Sequence, residues 1–411
     1  MFKRIVSLYK NAYAGVPKAA WLLALAEFIN RCGFMVLVFL NIYMTRRLHF
    51  TLLQAGHVLS AFGLGAIAGG YIGGHLTDRI GIRKVLISSL VLSGFLLIGA
   101  GYVTAYLPLA GILFLYGLIS TAIFPANDTA MSRYCSGEMR TKGFALRRLA
   151  ANLGITFGPI IGGYLILIDY HWLFWVDGLT TLASAIVIAR FVRIGPAGEL
   201  ARAGDPLPQE QAPALPSRSP WRDPPYLLFL GLFLVLMTAF SQIFSTFSLY
   251  LNSVYGLRED RIGPLWAVNT ILIVAVEMVL IHALRRRSEI KIIALGTVFL
   301  SLGFALLPLG RTFLFAAFTV VIWTMGEILT TPFTGTVTAA RAGSSTGRYM
   351  GLLSLTYSLA MFIAPLLGNW LYDRIGGDAL WPVFGGAGLL AGVGFWSLRN
   401  KLAVPKPEIQ S

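Results

Sequence analysis

Long apolar stretches, each bounded by a short cluster of charge, glycine or proline, recur along almost the whole chain. A helix needs about 20 mostly apolar residues to cross the hydrocarbon core of a bilayer. Twelve stretches meet that requirement, near 19–44, 51–76, 84–105, 107–133, 144–167, 171–193, 224–252, 261–284, 291–309, 313–340, 348–371 and 380–400. The pattern predicts an all-α membrane protein. Residues 194–223 break it: they are rich in Pro, Ala, Arg and Glu, hold little to bury, and read as a flexible linker. The expected organisation is a tail (1–18), a six-helix bundle (19–193), the linker (194–223), a second six-helix bundle (224–400) and a second tail (401–411).

The two bundles repeat one another. Sliding the chain along itself by roughly half its length lays Pro125 on Pro332, and slides within one position of that one lay Pro159 on Pro365, Gly162 on Gly368 and Arg140 on Arg348. Parallel repeats of this kind place a substrate site at the midplane between halves that rock, so twelve helices in two pseudo-symmetric bundles are expected.

Composition agrees and narrows the function. Of 411 residues, 56% are hydrophobic and 12% charged, against about 25% charged in a soluble domain. A net charge of +15 would suggest nucleic acid, but the great majority of the 33 Lys and Arg fall in loops on one side of the predicted spans. That is the positive-inside bias. It predicts a bacterial inner-membrane protein with both termini in the cytoplasm, and residues 1–18 read as a tail rather than a signal peptide. Two cysteines, Cys32 and Cys135, and five His offer no disulfide or metal-ligand pattern. No Walker A stretch is present, so no cofactor, no nucleic-acid partner and no enzyme activity are expected. A monomer in the bilayer, handling a small-molecule substrate, is.

Between the second and third spans runs Gly74-His75-Leu76-Thr77-Asp78-Arg79-Ile80-Gly81-Ile82-Arg83-Lys84. This is similar at each fixed position to G-x-L-x-D-R-x-G-x-R-K, the signature of the major facilitator superfamily. The resemblance implies a transporter fold of two six-helix bundles and a conformational latch built on Gly74, Asp78, Arg79, Gly81, Arg83 and Lys84. Glycines suit a tight turn and close helix approach, Asp78 can accept from a helix N-terminus or a nearby Arg, and the cations suit an anionic leaflet. Leu371-Tyr372-Asp373-Arg374-Ile375-Gly376 repeats the core of the motif but falls on the opposite side with no Arg-Lys pair after it, and is not read as a latch. The repeat partner is the degenerate Arg285-Arg286-Arg287-Ser288-Glu289-Ile290-Lys291.

The fifth span carries Gly154, Gly158, Pro159, Gly162 and Gly163 in the order G-x-x-x-G-P-x-x-G-G, which resembles the pattern of the family's antiporters. Its small residues permit close packing, and Gly158-Pro159 weakens the hydrogen-bond ladder so the helix can bend.

Ionisable residues inside spans are costly and are functional candidates for that reason. Glu27, Asn30 and Arg31 share one face of the first helix. Glu27 and Arg31 match the E-x-x-E-R start of the proton-coupled oligopeptide transporters, while Asn30 replaces the second Glu. Glu327-Ile328-Leu329-Thr330-Thr331-Pro332 is similar to the E-x-x-x-S-P stretch of those carriers, and Asn152-Leu153-Gly154 to their N-x-G. Glu27 and Glu327 are therefore the expected proton-coupling groups, with a structural ion pair as the alternative for Glu27 and Arg31. Asn30, Arg31, Arg148, Asn152, Gln242, Tyr250, Asn269 and Trp323 are expected to line a substrate cavity, or in the case of Gln242, Tyr250, Asn269 and Trp323 to be ordinary packing. Asp128, Asp177 and Glu277 receive no role.

The expected function is proton-coupled secondary transport by alternating access, exporting an amphipathic drug or metabolite in exchange for protons. The alternatives are proton-driven import of a peptide-like or other small polar solute and, from a different class, a non-transporting receptor or scaffold.

Overall fold

The structure, a computed structural model, describes residues 15–135, 138–192, 219–284, 287–342 and 345–402. Most of the linker, both chain ends and the pair Arg285-Arg286 lie outside the described residues.

Every span forms as helix, and the breaks within spans have local causes. The first span is α1 (Lys18–Cys32) and α2 (Val36–Ile42), separated at 33–35, with a π-helical turn at Tyr43–Arg47 after α2. The second and third are α3 (Leu52–Ile80) and α4 (Ile82–Ala100). The fourth divides into α5 (Tyr106–Thr121) and α6 (Ile123–Tyr134). Pro125 has no N–H to give the Thr121 carbonyl, so the ladder lapses there. α7 (Glu138–Ile166) and α8 (Tyr170–Phe191) complete the first half, and Asp169 caps α8 by accepting from the His171 amide at 2.7 Å.

The second half follows the same plan. Its first span is broken into α9 (Pro224–Phe240), a 3-10 turn (Ser241–Phe244) and α10 (Phe247–Ser253). α11 (Glu259–Leu284), α12 (Glu289–Leu306) and α13 (Phe313–Ala342) come next. The last helical stretch, α14 (Thr346–Ser397), is 52 residues long, far beyond one span. Gly376, with φ 81° and ψ 163°, divides it into two helices. Eleven described helices are long and apolar enough to cross a membrane, and dividing the last at Gly376 makes twelve.

Gly376 has a precedent in the first half. Gly81 separates α3 from α4 with φ 92° and ψ 148°. Both glycines end an Asp-Arg-Ile-Gly run, and both occupy a left-handed region that a Cβ disfavours. The hexapeptide set aside as a latch thus builds the same one-residue corner between helices.

The helices gather into two compact units. The first holds the described helices of the first half, except the start of α3, together with Arg258–Thr270 at the start of α11. The second holds the described remainder of the chain together with Phe50–Ser60 at the start of α3.

Candidate functional site

The first unit contains a charged cluster inside its spans. Glu27, on α1, is 7% exposed. Arg31, one turn on, donates from Nε to Glu27 Oε1 at 2.8 Å, as the i, i+4 spacing predicts. Glu27 Oε2 accepts from Asn127 Nδ2 of α6, also at 2.8 Å. The Arg31 guanidinium lies over the Phe124 ring, 5.1 Å from its centroid, a cation–π arrangement. Both carboxylate oxygens and one face of the guanidinium are therefore engaged. Beside this group Arg147 of α7 pairs with Asp128 of α6 at 2.6 Å.

α7 lies against α1 at the break in helix 1. A Cβ on Gly154 would fall 2.5 Å from Arg31 Cβ and 2.7 Å from the Phe28 carbonyl oxygen. On Gly158 it would fall 3.0 Å from the Cys32 oxygen, and on Gly162 2.7 Å from Met35 Cβ. These glycines, four residues apart, form a ridge that only hydrogen side chains allow to close on helix 1. Gly163 turns away from that ridge and meets the Glu259 backbone within the same unit.

Asp177 of α8 closes the opposite side of the break. It is 4% exposed, and its Oδ2 accepts from the Met35 amide at 3.4 Å and the Val36 amide at 3.1 Å. Asn30, expected to line a cavity, instead donates its amide to Thr181 Oγ1 of α8 at 3.3 Å. That bond joins α1 to α8.

Four other residues expected to line a cavity have these surroundings. Arg148 is exposed, and it is Arg147 whose side chain enters the charged cluster. Gln242 is fully buried: Nε2 donates to the Ala364 carbonyl at 2.9 Å, Oε1 accepts from Thr246 Oγ1 at 3.0 Å, and Gly368 packs against its side chain. It fixes the broken end of α9 to α14. Tyr250 is buried in a network near Gly376, donating to Asp378 Oδ1 at 2.7 Å and accepting from Arg311 Nη1 at 3.1 Å. Trp323 packs against the rings of Phe240 and Phe304. Each of the three is held by neighbours a sequence does not display.

Asn152 is half-buried on α7, Asn269 is buried on α11, and Glu327 is half-buried on α13. Glu277 is buried on α11.

Along the signature motif, Asp78 and Arg79 are exposed at the end of α3. Arg83 donates from Nη2 to the Ala189 carbonyl at the end of α8, 2.6 Å away, rather than leaving its whole fork to a leaflet. Lys84 is exposed beside it. Gly74 meets no atom within 4 Å of a Cβ position, so the expected close approach is absent there; the neighbouring Gly73 makes it, against Ala122.

The second unit holds one further buried ion pair. Asp223, just ahead of α9, is gripped by Arg341 of α13 through Nε at 2.8 Å and Nη2 at 2.9 Å. Tyr349 adds a third donor at 3.0 Å. The Arg341 hydrogen bonds hold the Asp223 carboxyl below the usual carboxylate range, against the effect of burial. Asn127 and Asp223 were missed as site or network residues, and Asp177 received no role. Only the Asn127-Asp128 pair after Pro125 carried a local hint.

The family model described as Major Facilitator Superfamily matches residues 23–365. The chain is 27% identical over 372 residues to the uncharacterized MFS-type transporter YttB of Bacillus subtilis, covering 89% of this chain and 91% of that one. It is 24% identical over 353 residues to the multidrug resistance protein MdtH of Yersinia enterocolitica, covering 81% and 82%. Among solved structures, the peptide transporter POT in complex with sulfate matches with a TM-score of 0.79 at 18% identity, over 95% of this chain and 96% of that one. The nucleoside transporter NupG matches at 0.76 and 14% identity, over 93% and 99%. At these identities the structures show a shared fold.

Proposed function

The chain belongs to the Major Facilitator Superfamily, and from that premise we propose that it is a proton-coupled antiporter exporting an amphipathic drug or metabolite. The relatives are transporters rather than enzymes. The observation that carries the coupling reading is the Glu27–Arg31–Asn127 group: an ion pair inside a span, 2.8 Å long, seated where the glycine ridge of α7 meets the break in helix 1. Charge in such a place is expensive, and a carboxylate that Arg31 holds poised until substrate competes for the cation justifies it.

Glu327 is the second carboxyl of the scheme. It lies half-buried on α13, five residues ahead of Pro332. Protons are the coupling ion, the substrate is a small molecule, and the protein acts as a monomer in the bacterial plasma membrane with both ends in the cytoplasm. The glycine pattern of α7 and the similarity to MdtH, a multidrug resistance protein by name, favour export. Import of a peptide-like solute is the second reading, favoured by Glu27, Arg31, Glu327 and Pro332 at the positions of the peptide-carrier motifs.

Proteoliposomes with a pH gradient of either sign separate the two. Antiport predicts that ethidium accumulates inside when the lumen is acidic. Symport predicts that dialanine accumulates when the outside is acidic. Movement of neither probe under either gradient would count against both readings.

A further inference from the structure

Helix 1 is interrupted at Gly33-Phe34-Met35, and the interruption leaves amides to be satisfied. In an unbroken helix the Met35 and Val36 amides would donate to the carbonyls of Arg31 and Cys32, four residues back. Here the Val36 amide goes to Asp177 Oδ2 at 3.1 Å. The Met35 amide is shared between the same oxygen at 3.4 Å and the Gly33 carbonyl at 2.5 Å. Without water, a backbone donor at this depth must find a partner in the protein. Asp177 is therefore the acceptor that replaces the missing rungs.

The fit is close. A Cβ on Gly33 would strike Thr180 Oγ1 and lie 2.7 Å from Asp177 Oδ1. The part of helix 1 ahead of the break is held independently: Ser184 donates to the Ala26 carbonyl at 2.8 Å, Asn30 to Thr181, and Asn127 to Glu27. Asp177 thus restrains the segment beyond the break, while the Glu27–Arg31 pair has anchors of its own.

We propose that Asp177 is a positioning residue that holds helix 1 in its broken form, and that the transport cycle works through this break. The proposal rests on the reading of the chain as a transporter. The two amides have two sets of acceptors, Asp177 or the Arg31 and Cys32 carbonyls, and exchange between them bends or straightens helix 1 without moving the ion pair.

The test uses the full-length protein in lipid. Asp177→Asn keeps a carbonyl oxygen able to accept from both amides. Asp177→Leu, of similar size, keeps none. Hydrogen exchange across 33–39 reads the tether, with exchange across 224–240 as a folding control. Transport is read as ethidium uptake into acid-loaded proteoliposomes, per mole of folded protein. Asp177→Leu should alter exchange across 33–39 alone and lower Vmax about tenfold with KM within about twofold, the mark of a step after binding. Asp177→Asn should restore both readings. Gly33→Ala should mimic Asp177→Leu, and the double variant should add little, as residues sharing one contact do. Unchanged exchange in Asp177→Leu would overturn the tether. Equal damage in Asp177→Asn would also overturn it, by assigning the role to charge. A wild-type protein that moves no ethidium would defeat the drug-export reading, and the exchange comparison would still decide the tether.

Discussion

Asn127 completes the Glu27 carboxylate: its Nδ2 reaches Oε2 at 2.8 Å while Arg31 holds Oε1 at the same distance. Removing Asn127 leaves a buried charged oxygen without that donor, a loss of about 1–3 kcal/mol. Asn127→Ala should lower the melting temperature of the purified protein measurably. In a Glu27→Gln background the same change should cost clearly less. Equal costs in the two backgrounds would show that the contact is energetically idle.

The Asp223–Arg341 pair makes stability depend on pH. Its folded carboxyl titrates below the unfolded one, so the stabilisation is fully present above about pH 4, the ordinary aspartate range. It is lost as pH falls through the depressed folded value. Melting curves of wild type and Asp223→Asn should be separated by a constant gap near neutral pH, and the gap should close as pH falls below the ordinary aspartate range. Arg341→Ala leaves a buried carboxylate behind and should cost about 3 kcal/mol near pH 7.

Glycines that face another helix should differ sharply from glycines that face open space. Gly158→Leu sets a branched side chain against the Cys32 and Arg31 carbonyls and should abolish ethidium transport. Gly154→Ala should impair it, because Arg31 Cβ occupies the space the new methyl needs. Gly74→Ala meets nothing within 4 Å and should leave folding unchanged. Normal turnover in Gly158→Leu would show that the ridge is decorative.

Asp78 is exposed at the end of α3, so its replacement should cost little stability, within about 0.5 kcal/mol for a surface site. The latch role predicts a different effect. Asp78→Asn should shift the populations of inward- and outward-open states measured by spin-label distances between the halves. An unshifted distribution would reject the latch.

What a reader of the sequence could see tracks how local each determinant is. The spans were legible because apolar length is a property of consecutive residues. So was the Glu27–Arg31 pair, one helical turn apart. The corner at Gly81 was visible in its motif, whereas Gly376 carries the same backbone in a copy dismissed for its position. Asp177 gave no sign of its work, since its partners Met35 and Val36 lie more than a hundred positions away and offer only backbone amides. Gln242 and Tyr250 look like cavity polar groups in sequence. The partners that consume their hydrogen bonds, Ala364 and Asp378, belong to another helix. Arg147 and Arg148 look alike in sequence for a related reason: adjacent residues on a helix face different ways, and nothing near either one says which faces Asp128.

Proton coupling stands or falls with Glu327. Glu27 is held at both oxygens, which suits a group poised by Arg31. Glu327, half-buried on α13, is the group proposed to carry the transported proton. The decisive measurement is ethidium accumulation by Glu327→Gln in proteoliposomes driven only by an acidic lumen, set beside ethidium exchange at equal pH. Accumulation should be abolished while exchange proceeds, because exchange needs no net proton movement. A Glu327→Gln protein that still concentrates ethidium under the pH gradient alone would remove Glu327 from the proton path.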